Sequence, residues 1–482
     1  MNEQTTAFKP SLRLFDATMI VAGSMIGSGI FIVSTDIVRN VGSAGWLIIV
    51  WLITGLMTVM AAVSYGEMSG MFPKAGGQYV FLREAFNPLS GFLYGWSSFT
   101  VIQTATIAAV GVAFSRFTAY LIPEVGENVF LFSLGSFHIS AAQILAIALI
   151  LFLTYTNTKG IKGGKIIQTT FTTIKLLSLF GLIILGFLLV KHSFWHENWQ
   201  NGLQAVQLEK TNGQFVLHGK WFPISGTILI GAIAASMVGS LFSSDAWNNV
   251  TFIAAEVKNP KRNIGLSLFL GTLIVSIIYI TTNLMYLNSL SLNQIAYPGG
   301  DRVAVAASSA IFGSAGAAII AVMIMISTFG CNNGLILAGA RVYYTMAKDG
   351  LFFKKAGILN KKAVPEWALW AQAVVASILC LSGGYNDLLD MIAFVVVVFY
   401  VLTIIGIFVL RKKKPDIERP YKAFAYPFLP GLYIILGIVF CVFLVIFKPV
   451  YTLWGLGIVL AGIPVYYITI SNKKKNQPNI ES

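Results

Sequence analysis

Apolar runs long enough to cross a bilayer recur along almost the whole chain, and only short polar links separate them. A membrane-crossing helix needs about 20 mostly apolar residues, because the hydrocarbon layer offers no partner to an exposed peptide group. Of the 482 residues, 56% are apolar and 11% are charged, against about 25% charged in an ordinary soluble domain. That balance leaves too little polar surface for a water-soluble enzyme. It also excludes disorder, since disordered chains are poor in apolar residues. The chain reads as an all-α, polytopic membrane protein whose first partner is the lipid bilayer.

Twelve spans are expected, near 17–38, 44–66, 90–115, 139–156, 166–190, 225–254, 264–287, 304–338, 367–382, 388–410, 428–447 and 450–471. An even number puts both termini on one side. The links 1–16, 67–89, 157–165, 255–263, 339–366, 411–427 and 472–482 carry 25 of the 33 Lys and Arg residues. The opposite links carry six: Arg39, Lys191, Lys210, Lys220, Arg302 and Lys448. Cationic loops are retained in the cytoplasm, so both termini are expected there, with the protein in the cell membrane. The same bias explains the net charge of +14 without any nucleic acid. The polar N-terminus precedes an apolar run with no small-residue cleavage site, so span 1 reads as retained rather than as a signal peptide.

Neither cofactor nor metal is expected. Cys331, Cys380 and Cys441 fall inside apolar stretches and form no disulfide or zinc pattern. His192, His196 and His218 lie in link 191–224, match no ligand spacing, and are read as part of a solvated loop.

Two spans carry interruptions. Span 1, FDATMIVAGSMIGSGIFIVSTDIV, places Gly23, Gly27 and Gly29 with Ser24 and Ser28 at its centre. Gly23 and Gly27 also form a GxxxG pair, so close helix packing is one explanation. The other is an unwound stretch, which a bilayer tolerates only where it is buried or lines a cavity. There, free N–H groups at the start of the second half-helix attract a carboxylate. Span 6 has a similar centre: Gly239, Ser240, Ser243, Ser244 and Asp245. Breaks at matching positions, five spans apart, point to an inverted repeat with a binding site between them.

The runs GSMIGSGIF in span 1 and SYGEMSGMFPKAGGQYVFLREAFNPLSGFLYGW across the 2–3 link resemble those of the amino acid–polyamine–organocation superfamily. So do SLFSSDAWNNVTFIAAEVKNPKRNI in span 6, STFGCNNGLILAGARVYYTMAKDG in span 8 and RKKKPDIERPYKAFAYPFLP after span 10. The likeness is nearest to the L-type amino acid transporters and their bacterial relatives, and it covers nearly the whole chain in order. It implies a leucine-transporter-like fold of five plus five inverted helices, with helices 1 and 6 broken and two helices added. The expected division is 1–16, a core of 17–410 with repeats near 17–190 and 225–410, then 411–471 and a tail of 472–482. The implied activity is alternating-access transport of L-amino acids, neutral ones by expectation, without sodium and by exchange. Proton-coupled uptake of amino acids or amines is the alternative, and an amino acid sensor without transport is the rival from another class. No enzyme is expected, since no carboxylate or His cluster sits at membrane depth. A channel would need a repeated filter or a charged ring, and neither is present.

Carried over residue by residue, the resemblance puts the substrate carboxylate on Gly27, Ser28 and Gly29. The amine meets the carbonyl of Met25 and carbonyls near Phe242 and Asp245. Phe242 matches an aromatic gate, with plain core packing as its alternative. Asp245 departs from the glycine often found in the eukaryotic L-type pattern. It is read as a cap of the second half of span 6, with a proton carrier or a partner for a cationic substrate left open. Ile102, Gln103 and Thr106 are candidate pocket walls. Link 116–138 lacks the cysteine that joins an ancillary subunit, so no disulfide-linked partner is expected.

Three charged residues complete the reading. Glu67 is a gate or loop anchor, Asp390 a solvated carboxylate and Arg116 a snorkelling side chain. Lys175 lies about ten residues into span 5, too deep to snorkel at 1.5 Å per residue. It needs acceptors there, or a water-filled vestibule. The resemblance places such a lysine where sodium-coupled relatives hold a cation between span 1 carbonyls and span 8 hydroxyls, here Ser327 and Thr328. On that reading Lys175 replaces the ion.

Overall fold

Peptide groups in an apolar run have no water to bind, so each long run satisfies its own backbone as a helix. The computed structural model describes residues 10–475 apart from 136, 201, 212, 213, 383 and 384. The stretch 1–9 and the tail 476–482, both assigned above to the cytoplasm, lie outside the described residues. Ten described helices are long and apolar enough to cross a membrane. Two more apolar helices, at the places of spans 1 and 9, are shorter.

Span 1 is divided into α1 (Leu14–Met25) and α2 (Ser34–Val41). Next come α3 (Ala44–Met71), the short α4 (Gln78–Ala85), α5 (Pro88–Leu121), α6 (Ala141–Thr158) and α7 (Ile161–Leu189). Span 6 is divided into α8 (Gly226–Ser243) and α9 (Asn249–Phe252). The remainder is α10 (Pro260–Ser289), α11 (Val303–Lys348), α12 (Glu366–Ser382), α13 (Tyr385–Lys413), α14 (Phe428–Phe447) and α15 (Pro449–Lys475). The helices pack through small residues, as they must when lipid tails are as apolar as leucine. A Cβ on Gly55 of α3 would stand 3.0 Å from the Ser276 Cβ of α10.

Two links are more ordered than the sequence suggests. Helix α11 runs on to Lys348, where a loop is expected from 339, because Arg341, Tyr343 and Met346 continue its buried face. The link 191–224 is not merely solvated. It holds a helical turn, Trp195–Trp199, and the strand pairs Val206–Leu208 with Trp221–Pro223 and Lys210–Thr211 with Gln214–Phe215. It packs on the α2–α3 turn, where Gly42 takes φ 48° and a Cβ would stand 3.0 Å from the Trp221 ring. Trp46 Nε1 donates to the Leu203 carbonyl at 2.8 Å, and Lys210 donates to Asn40 at 2.9 Å. His192 packs edge-on to Phe194 and His218 stacks on Tyr297, so aromatic packing occupies both rings.

Candidate functional site

The break in span 1 exposes both ends of a hydrogen-bond ladder. Helix α1 stops at Met25, Ile26 leaves helical geometry with ψ 85°, and Gly29–Phe31 forms one 3₁₀ turn before α2. A helix end leaves carbonyls without intrahelical donors. Here four consecutive carbonyls are met by side chains from three other helices. Lys175 Nζ donates to Gly23 at 2.5 Å and to Ile26 at 2.8 Å. Cys331 Sγ reaches the Ser24 carbonyl at 3.4 Å. The Tyr279 hydroxyl stands 2.9 Å from the carbonyls of both Met25 and Ser243. Ser327 Oγ lies 3.4 Å from the Ile26 carbonyl. Thr328 is turned away and donates to Ile324 of its own helix at 2.9 Å. Lys175 is only 1% exposed; an ammonium so buried requires these acceptors.

The N–H side of the break differs. Gly27 N–H donates to Met25 at 2.8 Å, but no backbone carbonyl among the described residues accepts from Ser28, Gly29 or Ile30. These three donors follow one another at the start of a helical turn. Gly29 is needed for contact between the two breaks, because a Cβ there would enter the Ser243 side chain, 2.9 Å from its Cα. A Cβ on Gly27 would stand 3.2 Å from Cys331 Sγ. The Ser28 hydroxyl is 3.0 Å from that of Tyr385, and the Tyr385 ring meets Phe242 edge-on, with centroids 6.0 Å apart.

Span 6 breaks after Ser243, where Ala246 adopts φ 62°. The reading of Asp245 as a helix cap is corrected: Asn248 holds the cap position of α9, without a side-chain cap bond. Asp245 instead accepts a hydrogen bond from Tyr400 of α13. Two small cavities share Asp245, Val396 and Tyr400. One is largely apolar and bordered by Met57, Phe242, Trp247 and Tyr433. The other has a mixed lining, bordered by Gln78, Gln103, Thr106 and Asn248 beside Phe252 and Leu335. Ile102, Gln103 and Thr106 all line this second cavity. Ile102 ends a π-helical turn, Ser98–Ile102, and Gln103 and Thr106 follow it; the turn rotates the face of α5 that they share. Met25, Gly27, Ser28 and Gly29 border neither cavity, since Ser243 closes on Gly29.

Ion pairs tie both ends of the bundle. At the lysine-rich end, Ser11 and Leu12 N–H groups donate to the Glu256 carbonyl at 2.8 and 3.0 Å. The Glu256 carboxylate pairs with Arg341 at 2.8 Å, with both side chains nearly buried. Glu67 is a loop anchor: it accepts from Arg411 at 3.0 and 2.7 Å and from the Ala423 N–H at 2.7 Å. At the opposite end Arg39 joins α2 to the α10–α11 link through the Ala296 carbonyl (2.8 Å) and Asp301 (2.7 Å). Asp390 is paired with Lys448 at 2.6 Å rather than simply solvated. Arg116 binds Glu127 at 2.9 Å instead of snorkelling alone.

Sequence reading missed Tyr279, Tyr385 and Tyr400. For Tyr279 and Tyr400 the signal was a phenol inside an apolar run, which needs a hydrogen-bond partner when buried; Tyr385 lies among Gly and Asn just before an apolar run and carried no such signal. The partner itself was not legible, because each lies far away in the chain.

Broken helices that present free backbone donors and filled carbonyls, inside a bundle tied by ion pairs at both ends, define a multi-pass membrane transport protein. Residues 12–470 match the family described as "Amino acid permease", and the chain belongs to that family, one of transporters and not of enzymes. It is 26% identical over 478 residues to the b(0,+)-type amino acid transporter 1 of Mus musculus, covering 98% of this chain and 90% of that one. It is 29% identical over 471 residues to the large neutral amino acids transporter small subunit 2 of Homo sapiens, covering 96% and 81%. The Asc-type amino acid transporter 1 of Mus musculus is 26% identical over 473 residues, covering 98% and 83%.

Proposed function

We propose that this chain is a secondary transporter that exchanges neutral L-amino acids across the cell membrane by alternating access, without sodium. The observation that carries this reading is the row of unaccepted N–H groups at Ser28, Gly29 and Ile30. A carboxylate fits them because the start of a helix is electropositive and its donors point outward. The substrate amine is assigned to carbonyls of the span 6 break near Phe242 and Asp245, because Tyr279 and the Gly27 N–H already fill the Met25 carbonyl; a zwitterion is then held by backbone groups at both poles. Phe242 closes over it, and Ile102, Gln103 and Thr106 face its side chain. The relatives, all named as amino acid transporters, favour amino acids as cargo.

Lys175 supports sodium independence. Its ammonium fills carbonyls at the unwound run and leaves a bound cation no role there. The architecture we propose is the five-plus-five inverted repeat with two added helices, both termini cytoplasmic, and no disulfide-linked subunit. The conformation is then an occluded one, with Glu256–Arg341 shutting the cytoplasmic side and Arg39–Asp301 the outer side.

The test is uptake of labelled alanine or leucine into proteoliposomes, competed by each of the twenty amino acids and by their amides. Saturable exchange should survive replacement of sodium by choline, and amides should compete poorly. Equal competition by amides would remove the carboxylate assignment. A second reading rests on Asp245, whose carboxylate borders both cavities. It makes the chain a proton-coupled carrier or one for cationic amines. An imposed pH gradient that drives net uptake without internal substrate would favour it.

A further inference from the structure

We propose that Tyr385 is the outer latch of the transport cycle, tying α13 to the broken segment of span 1 only while the outer side is shut. The proposal rests on the alternating-access reading above but not on which amino acid is carried. Tyr385 is the first residue of α13 and is 2% exposed. Three other elements meet on this one side chain. Its hydroxyl stands 3.0 Å from that of Ser28 in the unwound run. One ring edge packs on Phe242 at the end of α8, centroids 6.0 Å apart at 85°. The Arg116 guanidinium of α5 sits over the ring face, 5.3 Å from its centroid.

That arginine is itself fixed. Glu127 holds its Nε and Nη2 at 2.9 and 3.2 Å, and its carbonyl accepts from Arg302 at 3.2 Å. Its Nη1 is buried and has no partner among the described residues. The guanidinium is thus held over the phenol and not drawn away by a second carboxylate, a geometry in which a cation attracts a ring face.

The contacts of Tyr385 differ in kind from those of Lys175, Tyr279 and Cys331. Those three fill carbonyls of residues 23–26, at the end of α1. Of these four residues, Tyr385 is the one whose hydroxyl bonds the Ser28 side chain, beside the N–H donors assigned to the carboxylate. A substrate carboxylate on those donors fixes the direction of the pair. Ser28 then donates its proton to the carboxylate and accepts from Tyr385. Successive hydrogen bonds of this kind strengthen one another. Binding therefore favours the closed outer side, which is the coupling an exchanger needs.

Tyr385→Phe tests this, because it keeps both ring contacts and removes only the O–H. The measurement is exchange in right-side-out proteoliposomes, with half-saturation read at each face while the other is saturated. Loss of a bond made only with the outer side shut shifts the empty carrier towards outward-open by about fivefold, the worth of one net hydrogen bond. The ratio of external to internal half-saturation should fall by that factor, with the melting temperature close to wild type. Arg116→Gln should move the ratio in the same direction by less, since the ring loses its clamp but keeps its hydroxyl.

An unchanged ratio in both variants would overturn the latch. So would half-saturations that rise together at both faces, which is the mark of a residue that only binds substrate or only supports the fold. Absence of any exchange by the wild-type protein would instead remove the transport reading itself.

Discussion

The two broken helices lie side by side, joined by one Tyr279 hydroxyl 2.9 Å from a carbonyl of each. They are nevertheless held by opposite chemistry. The break in span 1 is fixed from behind: a buried ammonium, a phenol, a thiol and a hydroxyl fill its carbonyls. Its free groups are donors. Among the described residues, no cation donates to a carbonyl at the break in span 6. It is set by Asp245 under the Tyr400 hydroxyl and by the Phe242 ring against Tyr385. A helix end whose carbonyls are saturated keeps its shape while a ligand comes and goes. One held only by the Tyr279 and Tyr400 hydroxyls, the Asn248–Gln78 pair and packed rings can swing more readily, since no buried ion must be displaced. On the proposed function, recognition falls to span 1 and closure to span 6.

The largest effect should come from the contact between the breaks. Gly29→Val places branched carbon where Ser243 now lies, so saturable uptake should vanish although the protein still inserts. Unchanged apparent affinity in this variant would separate recognition from span 1. Next, Lys175→Ala leaves the Gly23 and Ile26 carbonyls without their donor. Each unpaired buried group costs about 1–3 kcal/mol. Transport should nearly cease and thermal stability should drop, while expression continues. Steep sodium dependence of the wild type in a choline-replacement assay would defeat this account of Lys175.

Smaller effects are expected at span 6. Phe242→Ala should cut exchange strongly, whereas Phe242→Trp should retain part of it by preserving an aromatic lid. If alanine works as well as phenylalanine, the ring is only packing and closure lies elsewhere. The mildest change should be Asp245→Asn, which keeps an acceptor for Tyr400. Neutral exchange should fall by no more than about threefold, the scale of one altered hydrogen bond. Complete loss of exchange, or loss of a pH-gradient response present in the wild type, would turn Asp245 from a bystander into the coupling group.

Much of the helical framework was legible because a membrane leaves an apolar run one choice of backbone structure. The break at Gly27–Gly29 was legible for a local reason too: consecutive Gly and Ser weaken a helix wherever they sit. The depth of Lys175 followed from counting residues. Its choice of Gly23 and Ile26 required the fold, and so did the failure of Thr328 to join Ser327 at that place. Thr328 and Ser327 are neighbours in sequence, yet a helix turns them about 100° apart, so only one can face the break. Link 191–224 looked solvated because its apolar residues are scattered. It is docked because Gly42 and Gly45 leave room for Trp221 and Leu203.

Sequence alone therefore determined the membrane class, the family likeness, the sites of interruption and the sign of the loops. Each depends on residue types and their order along the chain, not on which helices meet. Tertiary structure alone decided which side chain satisfies which exposed backbone group, and which ring lies over the site. Ser28 and Tyr385 are 357 residues apart, Tyr279 and Met25 are 254 apart, and Lys175 and Ile26 are 149 apart. No local pattern encodes such pairs. They arise because buried polar groups must find partners, and only the packing of the helices determines which partners come within reach.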